Sequence, residues 1–278
     1  MEIIFYTGFF VFGLIIGSFL NAVIYRIWAK RSFLKGRSFC PYCKHPLSWK
    51  DLIPLLSFLI LRGKCRYCRK PISWQYPLVE ISAGLLFVFS WSYIITENNF
   101  LSFNFLPPNG ELFSVLSLQN LLAVFYLLIV SSLLLVIFVY DLKHYIIPDQ
   151  IIYPAIIIAG IFSFLPLPEG FNKFSFLSAV LAAGFFLAIV LISRGKWMGM
   201  GDVKLAFFMG LFLGFPKILP ALFLSFLIGA IIGTGLILAK KKTLKSEVPF
   251  GPFLIIGTFI ALFWGKIIID WYLNLLKC

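Results

Sequence analysis

Charged residues and histidines are rare in this chain. Only 13% of its 278 residues are charged, 11 are acidic, and the two histidines are His45 and His144. The sequence contains no H-E-x-x-H motif, which excludes that type of zinc peptidase, and no Ser-His-Asp or Cys-His set stands out. We interpret both histidines as surface residues. Candidate chemistry therefore centres on the few carboxylates and on the cysteines.

Apolar residues dominate the rest of the chain. They make up 61% of it, with 33 Phe and a mean hydropathy of +0.98. A soluble domain of this length does not need so much apolar surface, so the bilayer is the solvent for most of the chain. We expect an all-α polytopic membrane protein with about eight transmembrane helices, each marked by an uncharged run. The predicted ranges are Ile3–Tyr25, about Ile81–Thr96, about Phe113–Tyr140, Gln150–Leu165, Phe174–Ser193, about Val203–Phe215, Ile218–Ala239 and Val248–Gly265 onward.

The net charge of +13 is concentrated in one segment. Between Arg26 and Lys70 there are twelve Lys and Arg residues and one acid, Asp51, which gives 12 − 1 = +11. Basic charge spread over the chain would indicate nucleic acid. A single block between helices indicates instead a segment that is kept in the cytoplasm and lies against anionic lipid. We predict contact with the lipid bilayer and no nucleic-acid partner.

Loop charges predict the orientation of the helices. The basic block after the first helix is expected inside, which places the N-terminus outside. Loops expected outside are Glu97–Glu111, Glu169–Lys173 and the tail; those expected inside contain Lys143, Arg194 with Lys196, and Lys240 to Lys245. This alternation brings Asp141 and Asp202 to the same cytoplasmic side.

The chain divides into three parts by composition. Residues 1–26 form the first span, residues 27–77 a small cytoplasmic loop subdomain, and residues 78–278 a multi-helix membrane domain. We find no internal repeat. Within the loop, the apolar run Leu52–Leu61 is too short to span and is expected to lie in the membrane interface.

Two C-x2-C pairs lie in the loop, Cys40 with Cys43 and Cys65 with Cys68, separated by 21 residues. Four thiolates from two such turns suit a tetrahedral structural zinc ion. A thiol oxidoreductase would also use C-x-x-C, but a cytoplasmic loop is in a reducing compartment. Cysteines without a metal are the third reading. We favour structural Zn2+, which would staple a loop with little core.

An acidic residue follows two glycines in Gly199-Met200-Gly201-Asp202. Glycines let the backbone bend tightly and let a substrate chain approach. Asp202 begins an apolar helix, and an ionisable group within the membrane is a functional candidate. The alternative is that Asp202 only caps its helix at the membrane surface.

A second acidic cluster runs from Asp141 to Asp149. Pro148 is expected to break the chain between two helices, and Asp149 is a candidate cap for the second of them. Capping leaves Asp141 unexplained. Two carboxylates in a poorly hydrated site share one proton, so an Asp141–Asp202 pair can activate water and protonate a leaving amine.

Together these residues resemble the type IV prepilin peptidase family, and the likeness covers nearly the whole chain. The matching motifs are Gly17-Ser18-Phe19-Leu20-Asn21, Val23-Ile24-Tyr25-Arg26, the two cysteine pairs, Ile53-Pro54-Leu55, Arg62-Gly63-Lys64-Cys65, Tyr76-Pro77-Leu78-Val79-Glu80, Asp141 with Ile147-Pro148-Asp149, Gly199-Met200-Gly201-Asp202 and Pro249-Phe250-Gly251-Pro252. Each is short, but their order and spacing are specific in combination.

The resemblance implies a bifunctional enzyme of the bacterial inner membrane, a GxGD-type membrane aspartic peptidase. Family members cut the leader from type IV prepilins and pseudopilins on the cytoplasmic side, then N-methylate the new terminal residue with S-adenosylmethionine. It further implies the site residues by position: Asp141 and Asp202 as the catalytic pair, Asp149, Gly199 and Gly201 as supporting residues, and Gly63 and Lys64 in methyl transfer. The loop at 27–77 would then serve methyl transfer, and 78–278 would be the peptidase domain.

Other functions are compatible with parts of the pattern. A peptidase without methyl transfer is one. A transporter with a proton-relay carboxylate pair is another, although that class has acids within helices and inverted repeats. A membrane scaffold whose zinc loop docks partners is the third. The scaffold predicts that replacing Asp141 or Asp202 by Asn has no effect.

Overall fold

The computed structural model describes residues 2–32, 36–96, 118–164, 174–240 and 248–276. Within these residues the regular structure is helical, apart from two isolated β-bridges. The helices are α1 (Glu2–Trp28), α2 (Leu56–Ile60), α3 (Gln75–Thr96), α4 (Leu118–His144), α5 (Asp149–Ser163), α6 (Ser175–Ser193), α7 (Met200–Leu213), α8 (Ile218–Leu238) and α9 (Gly251–Leu276), with a 3-10 turn at Trp49–Asp51.

The predicted all-α membrane fold is confirmed, but not the count of eight crossings. Six of the described helices are long and apolar enough to cross a membrane: α1, α3, α4, α6, α8 and α9. Two further helices are shorter than these six: α5 has 15 residues and α7 has 14. At 1.5 Å per residue each reaches only about 20 Å of a hydrocarbon core about 30 Å thick.

Three predicted helix starts are wrong. Helix α7 begins at Met200 rather than at about Val203, and the other two errors have a local reason. Helix α3 begins at Gln75 rather than Ile81, because Glu80 is buried and hydrogen-bonded and so does not end the helix. Helix α9 begins at Gly251 rather than Val248, since Pro249 disfavours helical backbone at Val248. The predicted start of the third helix at Phe113 and the predicted end of the fourth at Leu165 lie outside the described residues. The loops at Glu97–Glu111, Glu169–Lys173 and Lys241–Lys245 also lie outside them.

The chain forms two compact units. The first comprises Met1–Val115 and Val124–Val136. In it, α1 packs along α3 through Gly13 and Gly17, where an added Cβ would lie 2.6 Å from the Cα of Gly84 and 2.7 Å from the Cα of Glu80. Small residues spaced four apart allow such close helix packing in lipid. The close approach brings the polar residues at the ends of α1 and α3 together.

The loop between α1 and α3 contains a repeat, so the expectation of no repeat is wrong. Residues 38–49 (SFCPYCKHPLSW) and 63–74 (GKCRYCRKPISW) align without gaps. Each copy forms one antiparallel bridge, Phe39 with Pro46 and Lys64 with Pro71. The same backbone hydrogen bonds recur, for example from Cys40 to His45 (3.0 Å) and from Cys65 to Lys70 (2.9 Å). Each copy is therefore a small turn-based knuckle.

The second unit comprises Leu116–Ala123 and Ile137–Cys278. Helix α7 is its centre and packs against α6, α5 and α9, while α8 packs against α9. The backbones of α6 and α7 touch at Ala179 and Gly210, where an added Cβ would collide with Ala179. Leu205, Ala206 and Phe208 on α7 are fully buried. This packing fixes the first turn of α7, which carries Asp202.

Candidate active site and metal centre

Asp141 lies in the last turn of α4 and is 4% exposed. Its carboxylate accepts a hydrogen bond from the backbone N–H of Gly251. Gly251 is the first residue of α9, so the carboxylate faces the N-terminus of a helix, where unpaired N–H groups and the helix dipole favour negative charge. The sequence left Asp141 without a capping role in its own helix; the structure shows that it caps a distant one.

Asp202 is the third residue of α7 and is partly buried. The helix N-cap is Gly199, and the Asp202 carboxylate accepts a hydrogen bond from the backbone N–H of Gly199. The Asp202 N–H in turn donates to the Gly199 carbonyl at 3.2 Å. Asp202 thus closes the start of its own helix in the manner of the acidic residue of a capping box.

Asp141 and Asp202 lie near enough to each other for their carboxylates to interact electrostatically. The two residues come from α4 and α7 and are separated along the chain by α5 and α6. The segment Tyr145–Pro148 joins α4 to α5, and its Ile147 packs into the same site. Capping alone does not account for the juxtaposition, because each carboxylate caps a different helix.

Ile147 is the packing element between the two acidic positions. It is buried, and an added Cβ on Gly201 would lie 3.1 Å from its Cβ. An added Cβ on Gly251 would lie 3.4 Å from its Cδ1 and 2.5 Å from Oδ2 of Asp141. A side chain at Gly251 would therefore force Asp141 to move, and one at Gly201 would fit only if Ile147 shifted slightly. The significance of Gly251 was not evident from physical reasoning on the sequence; its only signal was the Pro-Phe-Gly-Pro motif.

Gly199 differs from Gly201 in its surroundings. An added Cβ on Gly199 would approach only the backbone N of Gly201, at 3.9 Å. Its backbone is extended, with φ −87° and ψ 160°, a conformation open to any residue. Of the two glycines, Gly201 serves helix packing, whereas Gly199 leaves open space beside Asp202.

Asp149 makes an ion pair rather than a side-chain cap. It is the first residue of α5, whose N-cap is Pro148. Its Oδ1 lies 2.6 Å from Nζ of Lys204, which also lies 4.8 Å from the centre of the Tyr153 ring. The pair joins the start of α5 to the first turn of α7, next to Asp202. The role of Lys204 was not predictable from the sequence pattern.

The four knuckle cysteines form one compact group. Their sulfur atoms all lie within 4.8 Å of one another, and Sγ of Cys40 is 3.8 Å from Sγ of Cys68. A tetrahedral ion with Zn–S bonds of about 2.3 Å has S–S edges of about 3.8 Å. The group can therefore hold a metal ion, and its size and thiolate chemistry fit zinc. The stacked rings of His45 and Tyr67, with centroids 3.7 Å apart, also join the two knuckles.

The surroundings of Cys40 favour its thiolate form. Burial alone would raise the pKa of Cys40, but the backbone N–H groups of Cys43 and Tyr42 lower it to about 7. The pKa of Cys68 moves the other way: the Lys70 N–H lowers it, but burial and the three other cysteine side chains raise it to about 11. Thiolate is the form that binds metal. Nearby, burial would also raise the pKa of Asp51, yet hydrogen bonds from Arg66, Ser48 and Tyr67 lower it to about 2. Asp51 is thus ionised at neutral pH and ties the 3-10 turn to the second knuckle.

Gly63 and Lys64 begin the second copy of the repeat. Gly63 has φ +66°, and an added Cβ would lie 3.2 Å from the Phe58 ring. The turn and the contact with Phe58 explain glycine here without a ligand. Lys64 is exposed. These two residues do not by themselves form a binding site for S-adenosylmethionine, so no step of methyl transfer is derived from them.

Comparison with known proteins is consistent across both units. Residues 11–94 match the bacterial peptidase A24 N-terminal domain, and residues 128–234 match the type IV leader peptidase family. A prepilin leader peptidase/N-methyltransferase of Aeromonas salmonicida (strain A449) is 33% identical, with 98% of this chain and 94% of the relative covered. Its counterpart in Bacillus subtilis (strain 168) is 33% identical, with 96% and 97% covered. No solved structure matches.

The alignments with these relatives cover both the unit that carries the four cysteines and the unit that carries Asp141 and Asp202. The sequence identity of 33% over nearly the whole chain is high enough to show the family. On this evidence the chain belongs to the type IV leader peptidase family.

Proposed function

We propose that this protein is a membrane aspartic peptidase that removes the leader from type IV prepilins or pseudopilins, with Asp141 and Asp202 as its catalytic pair. The observation that supports the proposal most is that these two carboxylates, from separate helices, are near enough to interact electrostatically. The names of the relatives supply the substrate class, prepilin, and the second activity, N-methyl transfer. A transporter or scaffold does not explain the family match.

The chemistry requires the pair to hold one proton. The ionised carboxylate takes a proton from water as the oxygen attacks the scissile carbonyl, and the protonated carboxyl gives its proton to the leaving amine. The Gly251 N–H at Asp141 and the Gly199 N–H at Asp202 fix the orientations of the two carboxylates. We expect the backbone of the substrate peptide to approach from the side of Gly199, where there is open space.

The site is expected at the cytoplasmic face of the bacterial inner membrane, with the N-terminus outside. Support comes from the six apolar helices and from the basic loop between α1 and α3, which the positive-inside rule places in the cytoplasm. Prepilins carry their polar leader before a hydrophobic helix, so the scissile bond would reach this level of the membrane.

Methyl transfer is the second part of the proposal. The name N-methyltransferase carried by the relatives supports the activity, with S-adenosylmethionine as the donor that would supply the methyl group. We assign it to the N-terminal unit because Gly63 and Lys64 match the family there. In this unit we propose that Cys40, Cys43, Cys65 and Cys68 hold a structural Zn2+. The ion would keep the two knuckles together and take no part in bond breaking.

One experiment tests both activities. Purified protein is incubated in detergent with a prepilin, with and without S-adenosylmethionine, and the N-terminus of the product is analysed by mass spectrometry. We expect loss of the leader in both samples and the gain of one methyl group only with the donor. Cleavage without any methyl gain would leave a peptidase alone; an intact prepilin would refute the proposal.

The shared proton also predicts the pH profile of cleavage. Below the pH at which both carboxylates are protonated no base remains, so the rate falls on the acid side. The measurement is the initial rate of leader loss over a pH series, with circular dichroism at each pH to show that the helices persist. An unchanged rate in acid would exclude the shared-proton mechanism.

A further inference from the structure

An exposed apolar surface lies on the loop of the first unit, away from the metal centre. Its members are Trp49, Leu56, Leu59, Ile60 and Trp74, which we call the α2 face. These side chains are between 56% and 75% exposed. Single exposed apolar side chains are common, but a group of large ones in neighbouring segments marks an interaction site.

Local contacts hold these residues together. The 3-10 turn that begins at Trp49 packs against α2, and the Trp74 ring lies 5.1 Å from the ring of Phe58 in α2. Trp49 and Trp74 are the equivalent last residues of the two repeat copies. Each copy of the repeat therefore contributes one exposed tryptophan next to α2.

A buried hydrogen bond sets the level of α2 relative to the membrane helices. The backbone N–H of Leu55, just before α2, donates to Oε2 of Glu80 at 2.9 Å. Glu80 is the sixth residue of α3, which begins at Gln75, so it lies about 7.5 Å along that helix. Helix α2 is thus beside the start of a candidate membrane span, Gln75–Ile95, and not beyond its end. Interfacial helices lie about 5–10 Å deep at the boundary between headgroups and acyl chains.

Positive charge surrounds the α2 face. Lys50 lies over the Trp49 ring at 5.6 Å, and Arg62 and Lys64 are exposed directly after α2. The loop as a whole has a charge balance of +11 between Arg26 and Lys70. Tryptophan is enriched at the membrane interface, and basic residues near the surface are attracted to anionic lipid.

We propose that the α2 face docks into the headgroup–acyl boundary of an anionic phospholipid bilayer and anchors the metal-binding loop to the membrane surface. The apolar side chains enter the boundary, and Lys50, Arg62 and Lys64 contact lipid phosphates. The proposal is independent of either catalytic activity, and its tests use no activity measurement.

Fluorescence quenching tests the insertion of Trp49. The full-length protein and its Trp49→Phe variant are reconstituted in phosphatidylglycerol-containing bilayers, with lipid brominated near the headgroup or with aqueous iodide as the quencher. The difference between the two proteins gives the emission of Trp49. We expect brominated lipid to remove most of this difference signal and iodide to leave it. Quenching by iodide but not by lipid, or by neither, overturns the proposal.

A charged variant and a matched control test the role of α2. In Leu59→Asp/Ile60→Asp, we expect the Trp49 signal to change from lipid-quenched to iodide-quenched, because carboxylates resist entry into the boundary. In Leu59→Met/Ile60→Leu the apolar surface is kept and the wild-type pattern is expected. If the Asp variant also keeps the wild-type pattern, α2 does not dock in lipid.

The lipid headgroup is tested separately. In bilayers of phosphatidylcholine alone, or at high salt with phosphatidylglycerol, we expect weaker lipid quenching of Trp49, because the attraction to anionic lipid is removed or screened. Equal quenching in both lipids would overturn the requirement for anionic lipid. The Trp74→Phe difference signal should follow that of Trp49 in every sample.

Discussion

The two candidate sites are built in opposite ways. The four cysteines come from two turns in one short segment, and each turn closes its own backbone hydrogen bonds. Asp141 and Asp202 come from separate helices and meet only because α4, α7 and α9 pack in one arrangement. A local site should respond to changes in its own ligands. A packed site should respond to small changes in helix contacts, even where no polar atom is altered.

The largest effect is expected from removal of either carboxylate. Replacement of Asp141 or Asp202 by Asn keeps the shape of the side chain but removes the shared proton, and should lower the cleavage rate by about 10³-fold or more. The measurement is the rate of leader loss by mass spectrometry. Asp270→Asn, in the last part of α9, serves as the matched control and should cleave normally.

The second effect tests packing directly. Gly251→Ala adds a methyl group whose carbon would lie 2.5 Å from Oδ2 of Asp141, so the carboxylate must move. Misplacement of a catalytic group by about 1 Å can cost on the order of 10²-fold in rate. Gly235→Ala on α8 is the control, because an added Cβ there meets nothing within 4 Å. Equal rates in the two variants would show that the site does not depend on this contact.

The third effect concerns the local site. Cys40→Ser should lose the bound zinc and most of the methyl transfer, while leader cleavage continues, since the knuckles and the acidic pair lie in different units. Zinc is measured by elemental analysis of the purified protein, and both activities by product mass. Loss of cleavage together with methylation would mean that the two sites are not independent.

The smallest effect is expected at the ion pair. The Asp149 side chain is exposed and that of Lys204 is partly exposed. Exposed ion pairs contribute about 0.5 kcal/mol to stability. We therefore expect Lys204→Met to lower the rate of leader cleavage by only about twofold. A double-mutant cycle with Asp149→Asn measures the coupling. A loss as large as that of Asp202→Asn would instead indicate that Lys204 acts on the substrate or on the acidic pair.

The sequence alone is sufficient to identify those residues of each site that stand out by their type. Asp141 and Asp202 stand out because carboxylates are rare in apolar helices, and the cysteines because of their spacing. The contact of Asp141 with Gly251 was not predictable, since it depends on the packing of a helix far along the chain. The Lys204–Asp149 pair was missed for the same reason.

Two errors had a different origin. The predicted start of α3 lies too late because the charge of Glu80 interrupts the uncharged run, although a carboxylate with a backbone partner can be buried within a helix. The repeat at 38–49 and 63–74 is visible in the sequence. Its signal is the set of Pro and Ser-Trp positions that both copies share after their cysteine pairs.

The repeat also has a consequence for metal affinity. Each copy supplies one bidentate arm, and the segment between the copies keeps the second arm close once the first is bound. Tethering raises the effective concentration of the second arm, so the whole loop should retain an ion far more strongly than a peptide of either copy. Because α2 lies within that tether, an ion that joins the arms would also close a loop of the chain that contains α2.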